Sequence, residues 1–366
     1  MVKLNWENKK DMNKNLESNI TKYKNKFQEI SFLIENKKSN IKKEINHTEW
    51  KNKLFWGENI EVLYYLLNFY ENKIDLVYLD PPFFSGMDYH IHIKEQDKIY
   101  EDIAYHDRWN KDLDSYLQML YERLILIRKL LSSKGLLFIH LDWHASHYIK
   151  IILDEIFGTN NFINSVVWYY YNKYSAGKKH LPRAHDDILI YSKTKQYTFN
   201  EIRIPREKPT KQLKRINVDG ILKNFKDENG KVVYRIVKDK KLDDVWKIPC
   251  LQPASKHWVG YPNQKHHRLL ERIIELGSNE GDLIIDLFCG SGTTLYAAEK
   301  LKRRWIGVDI SKYAIYLTRR RILNYYSKIN LNHKHYFNIY ADSDQDKKDV
   351  ISSNFFNKNL HIKQKK

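Results

Sequence analysis

From Lys53 onward the chain alternates short unbroken apolar runs with stretches of helical periodicity. KLFWGEN (53–59) reads as a strand and Ile60 to Tyr70 as a helix. IDLVYLD (74–80) is a buried strand, and it stops at a double proline because neither ring nitrogen can donate to a ladder. Tyr116 to Leu131 is a strongly apolar helix stopped near Gly135; LLFIHLD (136–142) is the next buried strand, followed by a helix from Ile149 to Phe157. SVVWYYY (165–171) and DDILIYS (186–192) are two later strands, expected as an antiparallel pair. Further on, a helix from His266 to Leu276, the strand DLIID (282–286), a helix from Thr294, the strand RWIGVD (304–309) and a helix through Arg321 repeat the rhythm. Such alternation predicts an α/β fold with a mostly parallel, doubly wound sheet and helices on both faces.

Three segments stand outside that rhythm. Residues 1–48 form a Lys/Asn-rich arm in which Leu16, Ile20, Tyr23, Phe27, Ile30 and Ile34 draw one narrow helical stripe. The stripe suits a surface helix packed on its own domain or one that meets a second copy, so a homodimer is one expectation. Residues 194–258 form a basic insert: Arg203 to Lys241 hold 13 Lys/Arg against 5 Asp/Glu, and DENGK (227–231) before VVYRIV reads as a hairpin turning on Asn-Gly. Residues 342–366 are polar and expected to be a disordered tail. The α/β part is thereby divided into 49–193 and 259–341.

Composition narrows the class. With 42% hydrophobic residues among 366, the chain can bury a core, which excludes wholesale disorder. No apolar run approaches the roughly 20 residues that crossing a bilayer demands. The first residues lack the apolar stretch of a signal peptide, and two cysteines, Cys250 and Cys289, are too few for a disulfide framework. A reducing cytoplasm is the expected compartment. Lys plus Arg total 63 against 45 Asp plus Glu, a formal charge of +18, which points to an anionic polymer as partner. A chain this rich in Lys, Asn, Ile and Tyr would also follow from an AT-biased coding sequence. Within the insert, Lys208, Lys211, Lys214 and Arg215 are the candidate phosphate contacts.

Two stretches carry chemistry. DLIIDLFCGSGTT (282–294) runs from a strand through a glycine-rich turn into a helix, where glycines admit a ligand close to the backbone and the helix start favours negative groups. A P-loop would end Gly-Lys-Ser/Thr, but Thr293 and Thr294 follow Gly292; a dinucleotide fingerprint would need glycine at 295, which is Leu. VYLDPPF (77–83) sets Asp80 at a strand end before a rigid Pro-Pro turn. A solvated strand-end acid fits that pattern, and so does a device for activating an amine. The exocyclic amine of a base is a poor nucleophile because its lone pair is delocalised into the ring. Asp80 and the Pro81 carbonyl can accept its two N–H bonds and turn the lone pair outward. Pro82 adds no competing N–H, and Phe83 offers the extruded base a face.

Phe288-Cys289-Gly290-Ser291-Gly292 resembles the S-adenosylmethionine loop of class I methyltransferases, with Asp309 at the end of the next strand in the place of the ribose acid. DPPF followed by FCGSG, with a basic module between, resembles the β class of DNA amino-methyltransferases in the N-4/N-6 family, over roughly Lys53 to Leu323. The resemblance implies a Rossmann-like, circularly permuted class I methyltransferase fold with a target-recognition insert. It also implies S-adenosylmethionine as cofactor and double-stranded DNA as substrate, with a flipped adenine methylated at N6. Asp80, Pro81, Pro82 and Phe83 become the catalytic set, and Asp286, Phe288, Gly290, Ser291, Gly292, Thr293, Thr294 and Asp309 surround the cofactor. GYPNQKHHRLLERII (260–274) is similar to the family segment that holds the cofactor carboxylate, which adds Asn263, Gln264 and Lys265. Glu58 in WGEN stands near the cofactor adenine, and DDVWKIP (243–249) is similar to a segment that closes the recognition region. A cognate restriction endonuclease is a further expected partner. Leu287 and His266 stand where the family usually has proline, and Glu58 where Asp is common.

Cytosine-N4 methylation would use the same acceptors, and a non-catalytic DNA-binding protein or an RNA methyltransferase could share the fold. Pro249-Cys250 is the pair a cytosine-C5 enzyme employs, but that family places its cysteine after the glycine loop. His140, His144 and His147 lack the acid or cysteine set that a metal needs, so no metal is expected. Among Tyr169, Tyr170 and Tyr171 at least one is core, and another could give a flipped base its second face.

Overall fold

In the computed structural model, which describes residues 2–7, 9–12, 14–30, 50–95, 98–109, 112–173, 179–329, 337–353, 355–357 and 361–363, the chain opens with α1 (Leu16–Tyr23) and β1 (Gln28–Glu29). The first α/β run is β2 (Asn52–Trp56), α2 (Asn59–Tyr70), β3 (Ile74–Leu79), β4 (Met87–Glu95), β5 (Lys98–Asp107), α3 (Leu113–Leu130) and β6 (Leu131–Leu141). It ends with α4 (Ser146–Phe157), β7 (Phe162–Tyr169) and β8 (His185–Ser192). The insert holds β9 (Arg203–Leu213), β10 (Arg215–Val218), β11 (Ile221–Asn224) and β12 (Tyr234–Lys241), and β13 (Val245–Lys247) leads out of it. The second run is α5 (His267–Gly277), β14 (Leu283–Asp286), α6 (Thr293–Lys300), β15 (Arg304–Asp309), α7 (Lys312–Lys328) and β16 (Phe337–Ala341). After it come α8 (Gln345–Ser352) and β17 (His361–Lys363).

One sheet runs β1-β16-β2-β15-β14-β3-β6-β8-β7-β13. Its strands from β16 to β6 are parallel, and β7 and β8 form the expected antiparallel pair. Side chains alternate across it: Leu76 and Tyr78 of β3 join the core under α5, α6 and α7, while Val77 and Leu79 join the core under α2, α3 and α4. Burial on both faces is why these strands read as unbroken apolar runs. β14 lies in parallel beside β3, with Asp286 opposite Tyr78. From that pair the chain winds outward in both directions, through α6 to β15 and through α3 to β6. This is the switch point at which open α/β sheets hold ligands beyond their strand C-termini.

The arm departs from expectation. Its helix ends at Tyr23, and the chain then extends so that Gln28 and Glu29 pair with β16. Leu16 and Phe27 are buried against α2, Phe27 lies where a Cβ on Gly57 would be 2.6 Å from its ring, and Ile30 enters the opposite core. Leu16, Phe27 and Ile30 of the stripe are thus packed inside the molecule, with Ile20 and Tyr23 partly buried; Ile34 lies outside the described residues. The tail also differs: α8 forms, Phe355 and Phe356 are buried, and β17 pairs with β4. In the insert, Lys226 and Val232 bridge around the Asn-Gly turn, but the strand after it pairs with β9. A second hairpin, β10–β11, turns on Asp219 and Gly220, both at positive φ as a type I′ turn requires. No helix among the described residues is long and apolar enough to cross a membrane.

Candidate active site

Asp80 follows β3 directly, and the Pro-Pro turn after it is held from the β4–β5 hairpin, an element absent from the sequence reading. Asp107, buried at the end of β5, accepts the backbone N–H groups of Phe83 (3.2 Å), Phe84 (2.9 Å) and Ser85 (3.0 Å), together with the Ser85 hydroxyl. Phe84 sits at φ +62, a left-handed conformation that costs a bulky residue about 1–2 kcal/mol. Four hydrogen bonds to one carboxylate offset that cost. The Tyr116 hydroxyl donates to the Pro82 carbonyl at 2.8 Å, and among the described residues nothing donates to the Pro81 carbonyl.

Around the Asp80 carboxylate the structure gathers groups from four elements. Lys265 places Nζ 2.7 Å from Oδ2 and 4.9 Å above the Phe83 ring. Lys265 therefore faces Asp80 as well as the cavity in which a cofactor carboxylate was expected. Oδ1 is buried with no hydrogen-bond partner among the described residues, 3.8 Å from Nδ1 of His140. His140 is fully buried: Nε2 lies 3.2 Å from Asp186 of β8, and the Tyr78 hydroxyl is 3.0 Å from Nδ1. Tyr170, the core member of its triplet, donates to the other Asp186 oxygen at 3.0 Å, leaving Tyr169 and Tyr171 exposed. Burial alone would raise the Asp186 carboxyl, but the hydrogen bond and charge of His140 outweigh it and hold it below the usual range.

Beyond β14 the glycine loop closes the other wall of a shared cavity of about 520 Å³, lined by Asp80, Phe83, Glu58, Asn263, Lys265, Asp286, Phe288, Gly290, Ser291, Thr293, Thr294 and Asp309. Asp309 accepts the N–H groups of Gly290 and Ser311, both at 2.8 Å, and Asp286 accepts that of Phe288 at 3.0 Å. Burial pushes the Asp286 carboxyl up to about 7 and that of Asp309 to about 6. Glu58 is clamped by the buried Arg123 at 2.6 Å, and Asn263 donates to the Tyr105 hydroxyl of β5 at 2.7 Å. Gln264 is committed elsewhere: its Oε1 accepts from the Val259 N–H and its Nε2 donates to the His257 carbonyl. His266, one of the departures from the family pattern, accepts the Arg268 N–H and so caps α5.

The residues present fit S-adenosylmethionine. Two buried carboxylates and Glu58 give the cavity acceptors for hydroxyls and a negative field for a cation. Cofactor affinity is expected to fall as pH drops through 7 and then 6, because a cationic, hydroxyl-donating ligand favours the ionised acids, whose free-state values are raised. Two such groups allow a loss on the order of 10- to 100-fold by pH 5.5. Calorimetry at pH 8 and 5.5 checks this, and a flat profile would overturn it; Asp309→Asn should remove the lower step.

The two positive-φ glycines answer to protein neighbours more than to a ligand. A Cβ on Gly290 (φ +49) would lie 3.1 Å from the Tyr261 ring, and one on Gly292 (φ +72) would lie 2.5 Å from Thr318 Oγ1 of α7. Gly292→Val should therefore lose about 2–5 kcal/mol of stability, from overpacking and backbone strain, in addition to cofactor affinity. Thermal unfolding of the cofactor-free protein reads that directly.

Elsewhere, Lys208, Lys211, Lys214 and Arg215 are exposed on β9, β10 and the link between them, with Lys211 over the Tyr234 ring and Lys214 over that of Phe225. Burial pushes the Cys250 thiol up to about 11, the opposite of an activated nucleophile. No group of His, Cys, Asp or Glu among the described residues could hold a metal ion.

Residues 74–320 match the family model described as DNA methylase. The Type II methyltransferase M.EcaI of Enterobacter cloacae is 27% identical over 332 residues, covering 74% of this chain and 69% of its own. The DNA adenine methyltransferase YhdJ of Escherichia coli (strain K12) is 28% identical over 251 residues, covering 68% and 76%. Among solved structures, the PvuII DNA methyltransferase (cytosine-N4-specific) shares the fold, with a TM-score of 0.50 at 16% identity over 84% of this chain and 93% of that one. The chain belongs to the N6/N4 DNA methylase family, whose members take their methyl group from S-adenosylmethionine.

Proposed function

We propose that the enzyme methylates N6 of adenine, flipped out of duplex DNA, at a specific sequence. One observation carries the reading: Asp80 Oδ1 is a buried acceptor without a partner, on a carboxylate whose other oxygen is held by Lys265. An unpaired buried acceptor costs about 1–3 kcal/mol, which an incoming N–H recovers. The amine gives one N–H to Oδ1 and the other to the Pro81 carbonyl, with its base against Phe83. The acceptors draw the N–H bonds away from the ring plane and turn the lone pair toward the donor. Bound S-adenosylmethionine supplies an electrophilic methyl group on its sulfonium. The nitrogen then holds one proton too many, and Asp80 Oδ1 is the base placed to take it.

Adenine is favoured over cytosine because an aspartate opens the Pro-Pro motif, which the family associates with adenine enzymes. Flipping an A·T pair also breaks fewer hydrogen bonds. YhdJ is named as an adenine enzyme, which supports the same choice. Nucleoside mass spectrometry of DNA methylated in vitro decides it: methylcytosine without methyladenine refutes the assignment and leaves the family standing.

Residues 194–258 serve as the recognition insert in this reading. Neutralising Lys208, Lys211, Lys214 and Arg215 together should weaken DNA binding and flatten its salt dependence by about 0.9 per lost phosphate contact. An unchanged slope would move the DNA surface elsewhere. The Type II naming of M.EcaI supports a restriction-modification setting with a cognate endonuclease.

A further inference from the structure

Behind the cofactor cavity lies a second one of about 410 Å³, walled by the loop before α5, the first turns of α5 and α6, and α7. Among the described residues the two cavities share only Gln264 and Thr293 in their walls. Gln264 keeps them apart by pinning its own loop through His257 and Val259.

The charge of this second cavity is one-sided. Lys256, His257, His267, Arg320, Arg321 and Lys328 line it, with no Asp or Glu among the described residues of its wall. The Arg321 guanidinium donates to hydroxyls, Thr293 Oγ1 at 2.7 Å and Ser291 Oγ at 3.4 Å, and burial pushes it down to about 10. Both histidines are held below their usual range, first by burial; for His257 the charges of Lys256, Lys328 and Arg321 add to it. Glu271, which pulls the other way on both, is paired with Lys300 at 2.7 Å. The indole nitrogen of Trp258, also in this wall, is buried with no hydrogen-bond partner among the described residues. A buried guanidinium and several further cations around one space, with no acid among the described residues of its wall, make a positive field that favours an anion there.

We propose that this cavity binds a phosphate group, with Lys256, Arg321 and Lys328 balancing its charge and the Trp258 indole N–H donating to one oxygen. A phosphate is all acceptor, and this wall is rich in donors. The space exceeds a lone phosphate, so a nucleoside can follow it in beside Tyr296 and Tyr325. Two sources share that chemistry: a free nucleotide, or a backbone phosphate of the bound DNA. The inference does not depend on which base is methylated.

The test uses the full chain and Lys256→Gln, Lys328→Gln, a double variant outside the cofactor cavity whose affinity for S-adenosylmethionine should equal that of the wild type. Pyrophosphate and adenosine monophosphate are titrated by calorimetry at low salt, and DNA binding is followed across a salt series. A tenfold or greater loss of affinity for the small anions, with an unchanged salt slope, assigns a free nucleotide. A slope reduced by about 0.9 per contact assigns the DNA backbone. A double variant identical to the wild type in both arms overturns the proposal.

Discussion

Asp80→Ala is expected to lower methyl transfer on the order of 10³-fold or more, the scale seen when a preorganised charged partner is removed from a reacting group. Binding of DNA and of S-adenosylmethionine should largely persist, because neither depends on that carboxylate alone. Stability should suffer as well. Lys265, buried against Asp80 Oδ2 at 2.7 Å, would be left facing a void, and stranding one member of a buried pair costs about 3–5 kcal/mol. The double variant Asp80→Ala, Lys265→Met separates the two effects: thermal stability should return toward that of the wild type, while turnover stays lost. Near-normal turnover in either variant would sink the proposed mechanism.

Asp107→Ala is expected to be nearly as severe, because the Asp107 carboxylate holds the turn that carries the Pro-Pro motif. It removes the acceptor for the N–H groups of Phe83, Phe84 and Ser85, and Phe84 loses what holds it at φ +62. Once released, the turn relaxes, and displacement of catalytic groups by an ångström costs on the order of 10²-fold. The loss should fall on kcat, with cofactor affinity little changed. Asp107→Asn, which keeps the volume but gives up one acceptor oxygen, should lie between Ala and wild type. If both variants turn over normally, the clamp has no part in positioning the loop.

The two motifs were legible because each packs its chemistry into consecutive residues. The central strands were legible because burial on both faces leaves an unbroken apolar mark. Asp107 was not legible. Its only sequence signal is the alternation through MDYHIHIKEQDKIYEDIAYHD, and nothing there says that the hairpin folds back over a turn more than twenty residues earlier. His140 read as one of three stray histidines; its role rests on Tyr78 and Asp186, brought to either side of it by strand pairing. Lys265 was found by its motif, but its contact with Asp80 is a fact of tertiary structure. The arm misled for a local reason: the 3–4 spacing of its apolar residues continues past Tyr23, where the backbone has already turned to strand.

The sheet order also bears on how the protein comes into being. β2 and β3 are neighbours along the chain, yet β15 and β14 lie between them in the sheet. Roughly 200 residues separate β3 from β14, which at ribosomal speed is about 10–40 s of synthesis. Throughout that interval the nascent first half holds two apolar strands whose facing edges are unpaired and free to zip together. Direct pairing of β2 with β3 is the obvious trap, and escaping it means opening a gap two strands wide. Maturation is thus timed by the second half: the first must be kept from closing on itself until the strands carrying Asp286 and Asp309 are delivered.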